Sequence, residues 1–486
     1  MIGSLPVDAV RGIRPFPWRK IARSAGWTSA AVLAGAAIAS LVAGGLWYLA
    51  LALLLSVPAL ILVLRYPLAT AWVWLVVTPF VSVTDVAAVR QVFWLVHRGL
   101  PVATLLVIVL GSISRVDHRR FPRLGLPELM MAGYLVASFL SIAYTSDQRL
   151  AVAYLLYDRV VVPMCLYLIV RLLRPDQDSL RRLLPVVVFV LLSQSVIGIL
   201  SWVAPTSLPS GWLVHAGERT TGTFDDPDVF GTTVLLCGLL LVQAGLSAAR
   251  RPLDRVWPLL AFMWALLMVF ITFSRGNWLA GLIVLAGVLY VHRTYAKAIV
   301  SFGMLVLAVL VASGMLTGQV DFARERLRSE EAQESALVRL PVAVAAVRMF
   351  EAEPLVGWGY GNFDRYSRPY QTRVGDLVSP EKPHASHNIL LTILAEQGVV
   401  GAVLLIGPML VWLARSRASR RNMLTDERTL VAMLWLAIVA YVIVNTFSVM
   451  KAPFGLGLWW LTLGMIASLV DRSRPLTARR GGRRPE

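Results

Sequence analysis

Three short stretches place reactive side chains in a chain that is otherwise largely apolar. Phe273-Ser274-Arg275-Gly276-Asn277 separates two apolar runs by almost nothing. A guanidinium at such a turn can stay hydrated at a membrane surface and still grip a phosphate through its forked donors. The plainer alternative for Arg275 is an interface anchor. His384-Ala385-Ser386-His387-Asn388 directly precedes another apolar run and holds two of the six histidines. An imidazole at that mouth is suited to accept a proton near neutral pH. Zinc binding and an ordinary surface role are the alternatives for His384 and His387, and two ligands at i and i+3 without a nearby third make a poor metal site. Asp158 and Arg159 lie in the middle of a third apolar run. Charges at that depth are costly, so they are paired inside a bundle or belong to a substrate path. Adjacent helical residues do not face each other, so each is expected to meet a partner on a different span.

The elements that must position these groups are membrane spans. Of 486 residues, 57% are hydrophobic and only 15% charged, with a mean hydropathy of +0.68. A soluble domain of this size carries about 25% charged residues to cover its surface. Apolar runs near the roughly 20 residues that cross a hydrocarbon core recur from end to end. The fold class expected is an all-α, polytopic helical membrane bundle of about fourteen spans (12–14): 28–46, 47–64, 67–83, 99–114, 127–144, 151–170, 185–203, 229–247, 256–273, 277–292, 298–316, 388–413, 429–450 and 455–470. The pieces 67–83, 99–114 and 277–292 are short, and 84–98, interrupted by Arg90, His97 and Arg98, reads as an interfacial segment. The first run is followed at once by another, without a small-residue cleavage site, which is unlike a cleaved signal peptide.

The net charge of +18 suggests nucleic acid, and its placement argues against that partner. Arg11, Arg14, Arg19, Lys20 and Arg23 precede the first run, and later clusters fall at Arg115 to Arg123, Arg171 to Arg182, Arg250 to Arg255, Arg415 to Arg428 and Arg472 to Arg484. Basic residues in short loops hold those loops in the cytoplasm. With alternating sides this puts both termini inside: a basic N-terminal segment 1–27, a membrane domain 28–470 and a basic tail 471–486. Two long segments then lie outside. One is 204–228, rich in Pro, Gly, Thr and Asp; the other is 317–386, the largest hydrophilic region. Within it, Asp321 to Glu334 reads as a surface helix. A second helix from Ser335, carrying Arg339 and Arg348, ends at Pro354 and the glycine run from Gly357 to Gly361. Cys165 and Cys237 both lie inside apolar runs and propose neither a disulfide nor a metal site.

Three pieces together resemble the O-antigen ligase and O-antigen polymerase superfamily of bacterial envelope glycosyltransferases. They are Phe273-Ser274-Arg275-Gly276, the stretch from Arg339 through Glu353-Pro354-Leu355-Val356-Gly357-Trp358-Gly359, and His387-Asn388-Ile389-Leu390-Leu391 followed by Glu396-Gln397-Gly398-Val399-Val400-Gly401. The resemblance is strongest over 256–413. It implies an enzyme of the inner membrane whose active site lies on the periplasmic or extracellular side. The donor implied is a glycan on undecaprenyl pyrophosphate, the acceptor a glycan or glycolipid, and the reaction metal-independent and without a cofactor. It also implies catalytic roles for Arg275, Arg339 and His387. Asn388, Arg348 and His384 are the further candidate substrate contacts, Arg348 standing outside the motif match. A polymerase, which extends another lipid-linked repeat, is favoured over a ligase acting on a lipid A core or another acceptor, because the longer chain does not call for a lipid A core. A lipid-linked oligosaccharide flippase would share the hydropathy, but it would line its path with polar residues across many spans. Here only Asp158 and Arg159 lie deep.

Overall fold

Runs of apolar residues with no water to satisfy their backbone must close their own hydrogen bonds, and here they do so as helices. The computed structural model describes residues 36, 39–40, 43–81, 87–113, 121–145, 147–213, 219–312, 330–371, 386–448 and 452–473. Contacts divide the chain into two units, Met1–Ile61 and Leu62–Glu486. Helix α1, Trp47–Arg65, begins in the first of these and carries Pro58. In the second follow α2 (Pro67–Val81), α3 (Val89–Ile113), α4 (Leu126–Thr145), α5 (Arg149–Leu173), α6 (Leu184–Val203), α7 (Pro227–Ala248), α8 (Val256–Phe270) and α9 (Arg275–Val291). They are succeeded by α10 (Ala296–Ala312), α11 (Glu330–Ala352), α12 (Ile389–Ser419), α13 (Thr425–Phe447) and α14 (Pro453–Arg472), and no strand occurs among the described residues.

Among the described residues nine helices are long and apolar enough to cross a membrane, or ten if α9 and the start of α10, bent by 97° at their junction, form one span. The sequence suggests about fourteen. The shortfall is one of length: α2 has 15 residues, and at 1.5 Å per residue it rises about 23 Å against a core of about 30 Å. The first expected span, 28–46, falls mostly outside the described residues. The expected interfacial segment is corrected, because its described part continues into α3. Arg98 can enter the span because Asp158 on α5 grips it from both carboxylate oxygens, at 2.5 Å each. Both residues sit on π-helical turns, Trp94–Gly99 and Tyr157–Val161, where the extra residue re-aims a side chain.

α7 and α14 form the centre, 89% and 94% of their spanning windows being buried. The outer helices instead expose apolar side chains, such as Leu110 and Ile113 on α3, Phe139 on α4, Leu282 on α9 and Leu410 on α12, as a lipid-facing surface requires. α13 ends and α14 begins at one end of the bundle. Asp471, near the other end of α14, joins Glu128 in pairing the buried Arg171 at 2.8 and 3.0 Å.

The segment between α11 and α12 is built on backbone hydrogen bonds between the two glycine motifs. Gly398 sits at φ 61°, ψ −162°, a conformation only glycine adopts readily, and it breaks α12 there. The break frees carbonyls and amides: Trp358 N–H donates to Ala395 O, Gly359 N–H to Glu396 O, Val399 N–H to Pro354 O and Val400 N–H to Leu355 O. A Cβ on Gly398 would lie 2.4 Å from the Leu355 carbonyl, and one on Gly357 2.4 Å from Gln397 N. Gly398→Ala is therefore expected to cost more than about 3 kcal/mol, combining forbidden backbone and clash. Thermal denaturation of the purified variant checks this; an unchanged Tm would mean that the brace adapts.

Candidate active site

Four chain ends converge at the end of the bundle where α13 stops. At the start of α9, Ser274 caps the helix, its Oγ accepting from Asn277 N–H at 3.3 Å and donating to Asp228 at 2.5 Å. Asn277 is buried and donates through Nδ2 to Pro227 O at 2.9 Å, tying the starts of α7 and α9 together. A Cβ on Gly276 would lie 3.5 Å from both Val444 Cα and Phe447 Cβ, so this turn packs on the last turn of α13. Arg275, exposed beside that turn, makes no hydrogen bond or ion pair among the described residues. Phe273, immediately before the turn, takes φ 48°, a strained value for a bulky residue.

Arg339 reaches the same place from α11. Arg339, Val342, Ala346 and Met349 follow a helical stripe, and the last three pack against Ala395 of α12 and Phe363. Burial and then the neighbouring Arg275 guanidinium pull the Arg339 pKa below its ordinary value, while Asp228 pulls the other way. Its buried Nε has no hydrogen-bond partner among the described residues. Two guanidiniums thus share one neighbourhood, and the Asp228 carboxylate near them is already engaged by Ser274. Like charges this close favour a ligand that neutralises both.

His387 and Asn388 close the third side. Asn388 caps α12, its Oδ1 accepting from Leu390 N–H at 2.9 Å and Leu391 N–H at 3.1 Å, and its Nδ2 donates to Thr446 O of α13 at 3.3 Å. The Arg275 turn and the His387-Asn388 pair therefore rest on the same last turn of α13. His387 is half-buried at φ 53°. Left-handed backbone costs an ordinary residue about 1–2 kcal/mol, and such strain clusters at functional sites. Ser386 fixes the bend: its Oγ donates to Asn388 O at 2.7 Å and receives Asn388 N–H at 3.2 Å.

Among the other sequence candidates, Arg348 lies nine residues beyond Arg339, about two and a half turns, on the opposite face of α11. It is exposed and its Nη1 donates to Tyr370 O at 3.4 Å, so it steadies the segment after α11 and is separated from the arginine pair. His384 lies outside the described residues. α11 runs as one helix through Pro341, across the boundary expected between Glu334 and Ser335. Asp158 has its interhelical partners, Arg98 and, at 3.8 Å, His97. Arg159 departs from expectation and makes no hydrogen bond or ion pair among the described residues.

Two acidic residues have roles that their sequence neighbourhood does not reveal. Glu396 accepts Gly361 N–H at 2.9 Å and Phe363 N–H at 3.0 Å, holding the turn after α11 against α12. Asp228 links the two arginine-bearing elements. Its only sequence signal is the Asp225-Asp226-Pro227-Asp228 run ahead of a span. Asp226 caps α7, and burial, then Asp228 and Asp225, push its pKa from 3.8 up to about 7, with Arg219 opposing. A carboxyl raised in the folded state stabilises fully below its unfolded pKa, and that contribution is lost as pH rises through about 7. Asp226→Asn keeps a capping oxygen and removes the titration. Its Tm is expected to fall less than that of the parent chain between about pH 5 and about pH 8. Parallel pH slopes in thermal denaturation would contradict this.

The sequence that carries these residues is also similar to a known family. No curated protein matches the chain significantly. The O-antigen ligase family model matches residues 260–406, a span that contains Arg275, Arg339, His387 and both halves of the glycine brace. Over residues 260–406, then, the chain is similar to the O-antigen ligase family.

Proposed function

We propose that this protein is a polysaccharide polymerase that moves a glycan from undecaprenyl pyrophosphate to the hydroxyl of an acceptor glycan at the outer face of the bacterial inner membrane. The observation that carries the reading is the pairing of Arg275 and Arg339, without ion-pair partners among the described residues, at the bundle end that also bears His387. A lipid pyrophosphate leaves readily when its growing charge meets fixed cations, and two forked guanidiniums supply them. The bond between the anomeric carbon and the phosphate oxygen breaks while an acceptor hydroxyl attacks that carbon. The hydroxyl proton passes to His387, and the electron pair leaves with the pyrophosphate. Attack opposite the leaving group inverts the anomeric centre. The lipid tail stays beside the bundle, and each step runs on the chain's own side chains.

The acceptor is tested by supplying purified protein with the lipid-linked repeat alone. Lengthening without a second acceptor is the expected result. Inertness until a lipid A core acceptor is added would make the protein a ligase. Movement of the repeat between leaflets without any transfer would make it a flippase.

A further inference from the structure

A cavity of about 220 Å³ opens between α5, α12, α14 and the turn after α11. It starts at Ile389, two residues beyond His387, and reaches Arg159, about ten residues or roughly 15 Å along α5 from its start. The proposed pyrophosphate site lies elsewhere, at the starts of α7 and α9, and none of the transfer steps uses this cavity. Its polar lining is of both kinds. Arg159 offers donors that no described residue takes up. Glu396 and Asp364 place two carboxylates on the lining, and Glu396 holds the Gly361 and Phe363 N–H groups. The Gln397 Oε1 and the Trp459 Nε1 are buried without hydrogen bonds among the described residues, and both residues line the cavity. Tyr360 and Trp459 add aromatic surface.

Resting on the glycosyltransferase reading, we propose that this cavity is a saccharide subsite that holds one neutral sugar ring of the glycan. Two carboxylates against one guanidinium disfavour a phosphate or a second pyrophosphate. The donors and acceptors disfavour a bare lipid tail. Interleaved donors and acceptors beside aromatic faces match a ring whose hydroxyls do both and whose C–H face is apolar. Size agrees: at about 30 Å³ per water, 220 Å³ equals about seven waters, enough for one ring and too little for a polyprenyl chain.

The test uses the full chain purified in detergent, with free glucose, galactose, mannose and N-acetylglucosamine titrated well past the millimolar range, and undecaprenyl pyrophosphate as a separate ligand. Tm and tryptophan fluorescence are read. At least one free sugar is expected to give a saturable change that persists in Arg275→Ala. That change should weaken about tenfold or more in Arg159→Met. It should weaken several-fold in Trp459→Phe, which keeps an aromatic face and loses the indole N–H. Undecaprenyl pyrophosphate should show the reverse pattern, lost in Arg275→Ala and retained in Arg159→Met. The proposal is overturned if no sugar saturates, or if the sugar response is unchanged in both Arg159→Met and Trp459→Phe. Failure of undecaprenyl pyrophosphate to bind would sink the transferase reading instead, and the sugar arms would still decide the cavity.

Discussion

Arg275→Ala and Arg339→Ala are each expected to slow glycan transfer by roughly 10²–10³-fold, the usual loss when one preorganised donor to a developing oxyanion is removed. Neither guanidinium has an ion pair to lose among the described residues, so protein level and Tm should stay near those of the parent chain. Relief of the repulsion between them, which adds to burial in holding the Arg339 pKa down, should even stabilise slightly. Lysine should rescue poorly, because an ammonium lacks the planar fork that spans two phosphate oxygens. Arg348→Ala provides the comparison: on the opposite face of α11, with its contact to Tyr370 O, it should cost far less. Full turnover in Arg275→Lys, measured with a lipid-linked donor, would return Arg275 to the role of interface anchor.

His387→Ala is expected to lower the rate by roughly 10²–10⁴-fold, the contribution of a positioned proton acceptor. Donor binding should change little, because the arginines hold the pyrophosphate. Backbone strain supplies a second readout. At φ 53° alanine keeps the penalty and glycine removes it, so His387→Gly should be about 1 kcal/mol more stable than His387→Ala while equally inactive. His384→Ala should be mild. The parent rate should fall on acidification as the imidazole becomes protonated, and that fall should vanish from the residual rate of the variant. Asn388→Ala should show a weaker copy of the defect, because it loses the cap and the tie to Thr446 that hold the preceding residue. Normal turnover in His387→Ala would remove the base from the mechanism. A divalent-metal requirement lost with either histidine would replace it with a metal site.

Local signals in the sequence carry well into the structure. Ser274 and Asn388 are capping residue types directly before apolar runs, and each caps its helix. Apolar run length locates most helices and marks 67–83 as short, although it cannot show that α9 and α10 meet at a sharp bend. What stays hidden depends on partners distant along the chain. Arg98 reads as the mark of an interfacial segment, because the carboxylate that neutralises it is 60 residues away. The Pro-Leu-x-Gly-x-Gly and Glu-x-Gly-x-x-Gly motifs are legible as patterns but not in their role. Their glycines serve a backbone exchange between α11's exit and the broken α12, which no spacing rule describes. Asp228 is invisible for the same reason, since its importance comes from Ser274 on another helix and from Arg339 beyond it.

If the paired arginines and His387 act on a pyrophosphate leaving group, purified protein given a lipid-linked glycan must release free undecaprenyl pyrophosphate as it transfers glycan. Following both products in parallel puts the leaving group and the three side chains to one test. The two products are expected to appear one for one. Both should fall by at least roughly 10²-fold in Arg275→Ala, Arg339→Ala and His387→Ala at unchanged Tm. Glycan transfer that releases no undecaprenyl pyrophosphate, or release at the parent rate in all three variants, would contradict this mechanism.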